Sequence, residues 1–154
     1  MGASFEIVAV SGERILQAFP LIQAAWPGID LDSWKSFVRS FRADYTAGQS
    51  DVVALRNPGG YLCGILAYRR DWDLRAGPIL TAQLFIAIDL LNSSRTIGAL
   101  IEAVEARAFQ LGCTGIQVRL CKEQAQLASC LNALGLSCEA SVFSRHQKAA
   151  ISLN

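Results

Sequence analysis

Apolar residues recur along this chain at two periods, and the period changes with position. Residues 5–10, FEIVAV, are short and β-branched and predict a first strand. Over residues 13–26, Ile15, Leu16, Phe19, Ile22 and Trp26 fall at helical spacing, with Ser11 as a cap before them and Pro27-Gly28 as a stop after them. Trp34, Phe37, Val38 and Phe41 form the stripe of a second helix capped by Asp30 or Asp32. Its other face carries Lys35, Arg39 and Arg42 and reads as solvated surface.

The period then shortens. Residues 51–56, DVVALR, and 61–70, YLCGILAYRR, predict two strands joined by Asn57-Pro58-Gly59-Gly60, a sequence built for a tight turn. Gly64 inside the second strand predicts a bulge or a close backbone approach. Alternation puts Tyr61, Cys63 and Ile65 on one face and Leu62, Leu66 and Tyr68 on the other. Residues 71–78, DWDLRAGP, read as a loop, and residues 79–89, ILTAQLFIAID, as the most apolar strand, central and buried on both faces.

Helical spacing returns over residues 94–111, where Ile97, Leu100, Ile101, Val104, Ala108 and Leu111 share about 100° of arc before Gly112 ends the helix. Residues 115–120 predict a strand. Residues 122–134 predict a helix with Leu127, Leu131 and Leu134 on its stripe and Gly135 at its end. Residues 136–146 read as one long or two short strands, and 147–154 as a frayed tail. The order β-α-α-β-β-β-α-β-α-β gives an α/β (α+β) fold with a mixed sheet and helices on both faces, in one domain over residues 1–146.

Composition narrows the function classes. The 154 residues are 52% hydrophobic and 18% charged, with a net charge of +1 and no basic block, which disfavours nucleic acid and anionic membrane as partners. The longest charge-free run, residues 76–88, is too short and too interrupted to span a bilayer, a task that needs about 18 apolar residues. The first residues have no basic segment ahead of an apolar one, so no secretory signal is expected. Five cysteines, an odd number, without CxxC spacing and with a single histidine, His146, point to reduced thiols in a cytoplasmic protein and to no metal site.

Four stretches carry a resemblance. Residues 59–69, GGYLCGILAYR, form a turn and an aromatic-containing strand. Residues 98–113, GALIEAVEARAFQLGC, start on Ala-Leu and end on Leu-Gly-Cys. Residues 131–145, LNALGLSCEASVFSR, hold a Leu-Gly corner after a helix. Residues 19–38, FPLIQAAWPGIDLDSWKSFV, pair two helices. In their order along the chain they resemble the GNAT superfamily of acyl-CoA-dependent N-acetyltransferases, over most of the chain. The resemblance implies a mainly antiparallel sheet whose fourth and fifth strands splay apart, with acetyl-CoA as cofactor. It places the pantetheine arm along the backbone of Phe85, Ala87 and Asp89, and the pyrophosphate at the helix start formed by Asn92, Ser93, Ser94, Arg95, Thr96 and Ile97. A helix N-terminus favours such an anion through its N–H groups and dipole.

The chain departs from the family pattern in two places. The phosphate turn, LNSSRTIG, has Arg95 and Ile97 where glycines are expected and Asn92 where Arg or Gln is expected. The tyrosine that protonates the leaving thiolate in many members falls on Leu131, with Cys121 and Cys130 as nearby thiols. The candidate bases are Asp89, Asp71 and Asp73. The expected function is acetyl transfer to a small-molecule or peptide amine by direct attack. The alternative is a degenerate member that binds CoA or a protein without catalysis, and a homodimer is kept open.

Overall fold

The computed structural model describes residues 4–42, 48–88 and 93–147. Strand β1 (Glu6–Ala9) leads into helices α1 (Glu13–Ala25) and α2 (Leu31–Arg42). Strands β2 (Ser50–Arg56), β3 (Leu62–Asp73) and β4 (Gly77–Ala87) follow, then helix α3 (Ser93–Gln110), strand β5 (Gly115–Val118), a 3-10 turn (Lys122–Gln124) and helix α4 (Leu127–Ala133). The sheet order is β1-β2-β3-β4-β5, antiparallel except where β5 lies parallel to β4. The mixed, mainly antiparallel sheet with helices on both faces is the expected architecture.

Two apolar clusters explain the layers. On one face Ile22, Trp34, Val38 and Phe41 of α1 and α2 pack on Val52, Ile65, Leu84 and Ile86. On the other, Ile97, Leu100, Ile101 and Val104 of α3 and Leu127 and Leu131 of α4 pack on Leu55, Leu66, Leu80 and Phe85. β4 alternates between the two clusters and is buried on both faces, as its largely apolar sequence predicts. Asp30 caps α2, its Oδ1 accepting the Ser33 N–H at 2.7 Å.

Gly64 fulfils both expectations at once. A register shift lies between Leu55 and Arg56, which face Gly64 and Leu62, so Cys63 is the extra residue of a bulge. A Cβ at Gly64 would stand 3.0 Å from Leu100 Cδ1 and 3.1 Å from the Ile86 carbonyl oxygen, so the missing side chain is what seats α3 against the sheet. The bulge overturns the alternation read from sequence: Cys63 packs in the cluster of Leu66 and Tyr68, away from Ile65.

Three further expectations change. Residues 71–78 are not a loop, because β3 and β4 stay paired out to Trp72–Pro78 and Asp73–Gly77. The turn is confined to residues 74–76; Asp73 Oδ1 accepts the N–H groups of Arg75 and Ala76 at 2.9 and 2.8 Å, and Gly77 adopts a φ of +82°. The helix expected over 122–134 is broken into the 3-10 turn and α4. Residues 136–147 hold no strand, and from Ser137 onward every described residue is exposed, Val142 and Phe143 among them.

Two glycines give stability predictions of opposite sign. Gly64→Ala forces Leu100 and the β4 backbone to move and should lower unfolding free energy by about 1–3 kcal/mol in urea titration. Gly98, inside α3, has open space at its Cβ position; Gly98→Ala should raise the same quantity by about 1 kcal/mol.

Candidate active site

Parallel pairing of β4 with β5 is short. It joins Ile79–Gly115, Leu80–Ile116, Thr81–Gln117 and Ala82–Val118, and Arg119 N–H adds a bond to the Ala82 carbonyl at 3.0 Å. β4 then runs on through Ala87, still paired to β3, with no β5 residue opposite it. A wedge therefore opens between the two strands from Gln83 onward. Arg119 spans its start, donating to Gln83 Oε1 at 2.8 Å.

The chain leaving β5 folds back over this wedge. Gln124, on the 3-10 turn, is 6% exposed and donates its Nε2 to the Phe85 carbonyl. Its Oε1 accepts from the Cys121 N–H at 3.4 Å and from Cys121 Sγ at 3.3 Å. One buried amide thus satisfies a β4 carbonyl that has lost its strand partner and ties it to the end of the β5 segment. Burial is the main cause that pushes the Cys121 thiol above its ordinary range, so it keeps its proton at neutral pH.

α3 begins beside the same end of β4. Its first turn has no acidic residue. Ser94 and Arg95 are exposed, whereas Thr96 and Ile97 are fully buried. Ile97 belongs to the α3 cluster, and the Thr96 hydroxyl points at Cys63 Sγ, 4.0 Å away. Of the residues expected at the phosphates, Thr96 and Ile97 use their side chains to hold the helix down. The Arg95 guanidinium lies 5.8 Å from the centre of the Phe5 ring. Phe85 is fully buried and Ala87 is half-buried, both on β4 within the wedge. Asp89 and Asn92 lie outside the described residues.

Asp71 and Asp73 sit elsewhere. They pair with Ile79 and Gly77, six and eight residues before Phe85 along β4, a separation of roughly 20 Å or more at strand rise. The Asp73 carboxyl is held below its usual range by the backbone N–H of Ala76 and then that of Arg75, which makes it a weaker base. Leu131 is 6% exposed and packed in the core, so the position of the expected tyrosine holds a structural leucine.

Gln124 was not singled out by sequence reasoning. The signal was there: it precedes Leu127, Leu131 and Leu134 at helical spacing, a polar residue on an otherwise apolar stripe. Replacing it tests its contribution. Gln124→Leu leaves the Phe85 carbonyl buried without its donor and should cost about 1–3 kcal/mol in urea unfolding, more than an exposed control such as Gln126→Leu.

No family model matches the sequence, and no curated protein matches it. Solved structures do match in shape. Aminoglycoside N-acetyltransferase AAC(6')-Iy in complex with CoA superposes with a TM-score of 0.75 at 15% identity, covering 97% of this chain and 98% of that one. Aminoglycoside 6'-N-acetyltransferase AAC(6')-Ih from Acinetobacter baumannii gives 0.69 at 15% identity, over 95% and 100%. A transcriptional regulator from Bacillus halodurans C-125 gives 0.71 at 17% identity, over 93% and 99%. At these identities the likeness concerns the chain path, and it runs nearly end to end: the protein has the fold of the GNAT N-acetyltransferases.

Proposed function

We propose that this protein binds acetyl-CoA in the wedge between β4 and β5 and transfers the acetyl group to an amine. The observation that carries the reading is the parting of β4 from β5 after Ala82, which opens one edge of a buried strand over the stretch that ends beside α3. An amide-bearing chain can pair with the backbone groups of such an edge that Gln124 does not already hold. The residues present fit the rest of the cofactor: the first turn of α3 offers a helix N-terminus, no carboxylate to repel a phosphate, and the Arg95 guanidinium. The neighbours of this shape include aminoglycoside N-acetyltransferases, one of them solved with CoA bound, which agrees with an amine acceptor.

The cofactor supplies a thioester. In direct attack the amine nitrogen forms a bond to the acetyl carbon, the carbon–sulfur bond breaks, the amine gives up a proton and the thiolate takes one. Held side by side in the wedge, the two reactants need mainly orientation. Asp71 and Asp73, on the distant hairpin, serve as base only for an acceptor long enough to span that distance, which leaves Asp89 as the carboxylate nearest in sequence to the end of β4. The Cys121 thiol, still protonated at neutral pH, is a candidate proton donor at the end of the β5 segment, beside Gln124.

A second reading, CoA binding without catalysis, is favoured by one observation: the leucine at the tyrosine position is buried core. Calorimetric titration with acetyl-CoA and thioester consumption over a panel of amines separate the two. Saturable binding with consumption supports the transferase; binding without consumption supports the second reading; no binding overturns both.

Ser94→Glu provides a sharper check. A glutamate in the first turn of α3 favours the helix dipole, so stability should hold or rise slightly, while the carboxylate meets the phosphates and should weaken acetyl-CoA by about tenfold or more. Equal affinity in the folded variant would place the phosphates elsewhere.

A further inference from the structure

The Gln124 amide stands where a bound chain has to pair. Along a strand, successive residues turn their backbone groups to opposite sides. Ile88 faces β3, its N–H donating to the Cys63 carbonyl at 2.7 Å, and Ile86 shares that side. Phe85 and Ala87 therefore turn their N–H and C=O groups to the wedge. They are the two described residues of β4 that do so beyond Gln83, the extra residue where the β3–β4 register shifts. Of their two carbonyls, Gln124 Nε2 already holds one, that of Phe85. The side chain is buried and reaches across from the turn that follows β5, so it fills space in the wedge as well as using an acceptor.

The turn does not need this bond to keep its shape. It is closed by backbone, with the Gln124 N–H on the Cys121 carbonyl at 2.9 Å and the Ala125 N–H on the Lys122 carbonyl at 3.2 Å. α4 behind it is held by Leu127 and Leu131 in the core. The amide can therefore leave Phe85 by rotation about its own side-chain bonds, with the turn and α4 in place.

We propose that Gln124 is a latch on the wedge: it holds the Phe85 carbonyl in the free protein and gives it up when the pantetheine arm of the cofactor brings an amide N–H of its own. The proposal rests on the acetyl-CoA reading. One hydrogen bond replaces another, so the exchange is close to balanced. Each binding event must still release the latch, and the apparent affinity falls below that of an open wedge by the fraction of molecules found open. The latch also makes opening depend on the arm, because a ligand that offers phosphates alone leaves Gln124 on Phe85.

The test titrates the nitrogen-15-labelled full chain with CoA and, separately, with adenosine 3′,5′-bisphosphate, which has phosphates and no pantetheine arm. The Gln124 side-chain amide resonances should move saturably with CoA and stay in place with the bisphosphate. Gln124→Asn keeps the amide but is one methylene shorter and falls short of β4. By calorimetry it should bind CoA about three- to tenfold more tightly than the parent chain and the bisphosphate equally well, while losing stability with the Phe85 contact. A residue with a structural role alone gives no such gain in affinity. CoA binding with unmoved Gln124 resonances, or a CoA affinity in Gln124→Asn equal to or below that of the parent, overturns the latch and leaves the cofactor reading standing. If Gln124→Asn does not fold, the resonance titration of the unaltered chain decides. Absence of CoA binding to the parent and the variant alike overturns the cofactor reading and the latch with it.

Discussion

A buried strand must find a partner for every backbone polar group, and β4 is asked to do so with half a neighbour. β3 satisfies one of its edges along the whole length. β5 satisfies the other only as far as Ala82, where Arg119 makes the last bond among the described residues. Each unpaired group in such a place costs about as much as a lost hydrogen bond. The fold meets part of that cost with the Gln124 amide on Phe85. The rest of the candidate site is arranged around this edge: the start of α3 beside it and the turn from Cys121 to Gln124 across it.

The position of α3 depends on an absence of atoms. Gly64 has no side chain, and Leu100 occupies the space that one would fill. The bulge at Cys63 puts two consecutive residues of β3 under the helix, a glycine that lets it approach and a cysteine that meets Thr96. Thr96 and Ile97 in turn spend their side chains on the core. A helix pinned so firmly at its first turn presents its N-terminal groups in a fixed direction, as anion binding by backbone requires.

How far these relations were legible in the sequence depended on whether they were local. The stripes of α1, α2 and α3, the turn at residues 57–60 and the buried character of β4 follow from period and turn chemistry. Gly64 was legible because a glycine in an apolar strand has few other reasons to be there. The orientation of Cys63 was not, since a bulge depends on what the neighbouring strand does. Residues 71–73 looked like loop because Asp-Trp-Asp is polar, yet pairing with β4 carried the strand past them. Residues 136–146 have the composition of strands, but no strand edge of the described chain takes them up. The site was half visible. The resemblance pointed to the end of β4 and the start of α3, but Gln124 acts through its bond to the Phe85 carbonyl, and nothing in one sequence reveals such a distant pairing.

The two outermost strands, β1 and β5, are each four residues long, whereas the longest strands, β3 and β4, are enclosed between neighbours. A foreign strand adding to either margin would gain only a few backbone hydrogen bonds, too few for templated growth of an extended sheet. In a chain that is 52% hydrophobic, brevity at the margins is therefore a form of protection against fibre-like association, with Glu6 the one charge within the two edge strands. The same brevity on the β5 side is what leaves β4 uncovered, so the opening at the centre of the molecule and the quietness of its border have one origin.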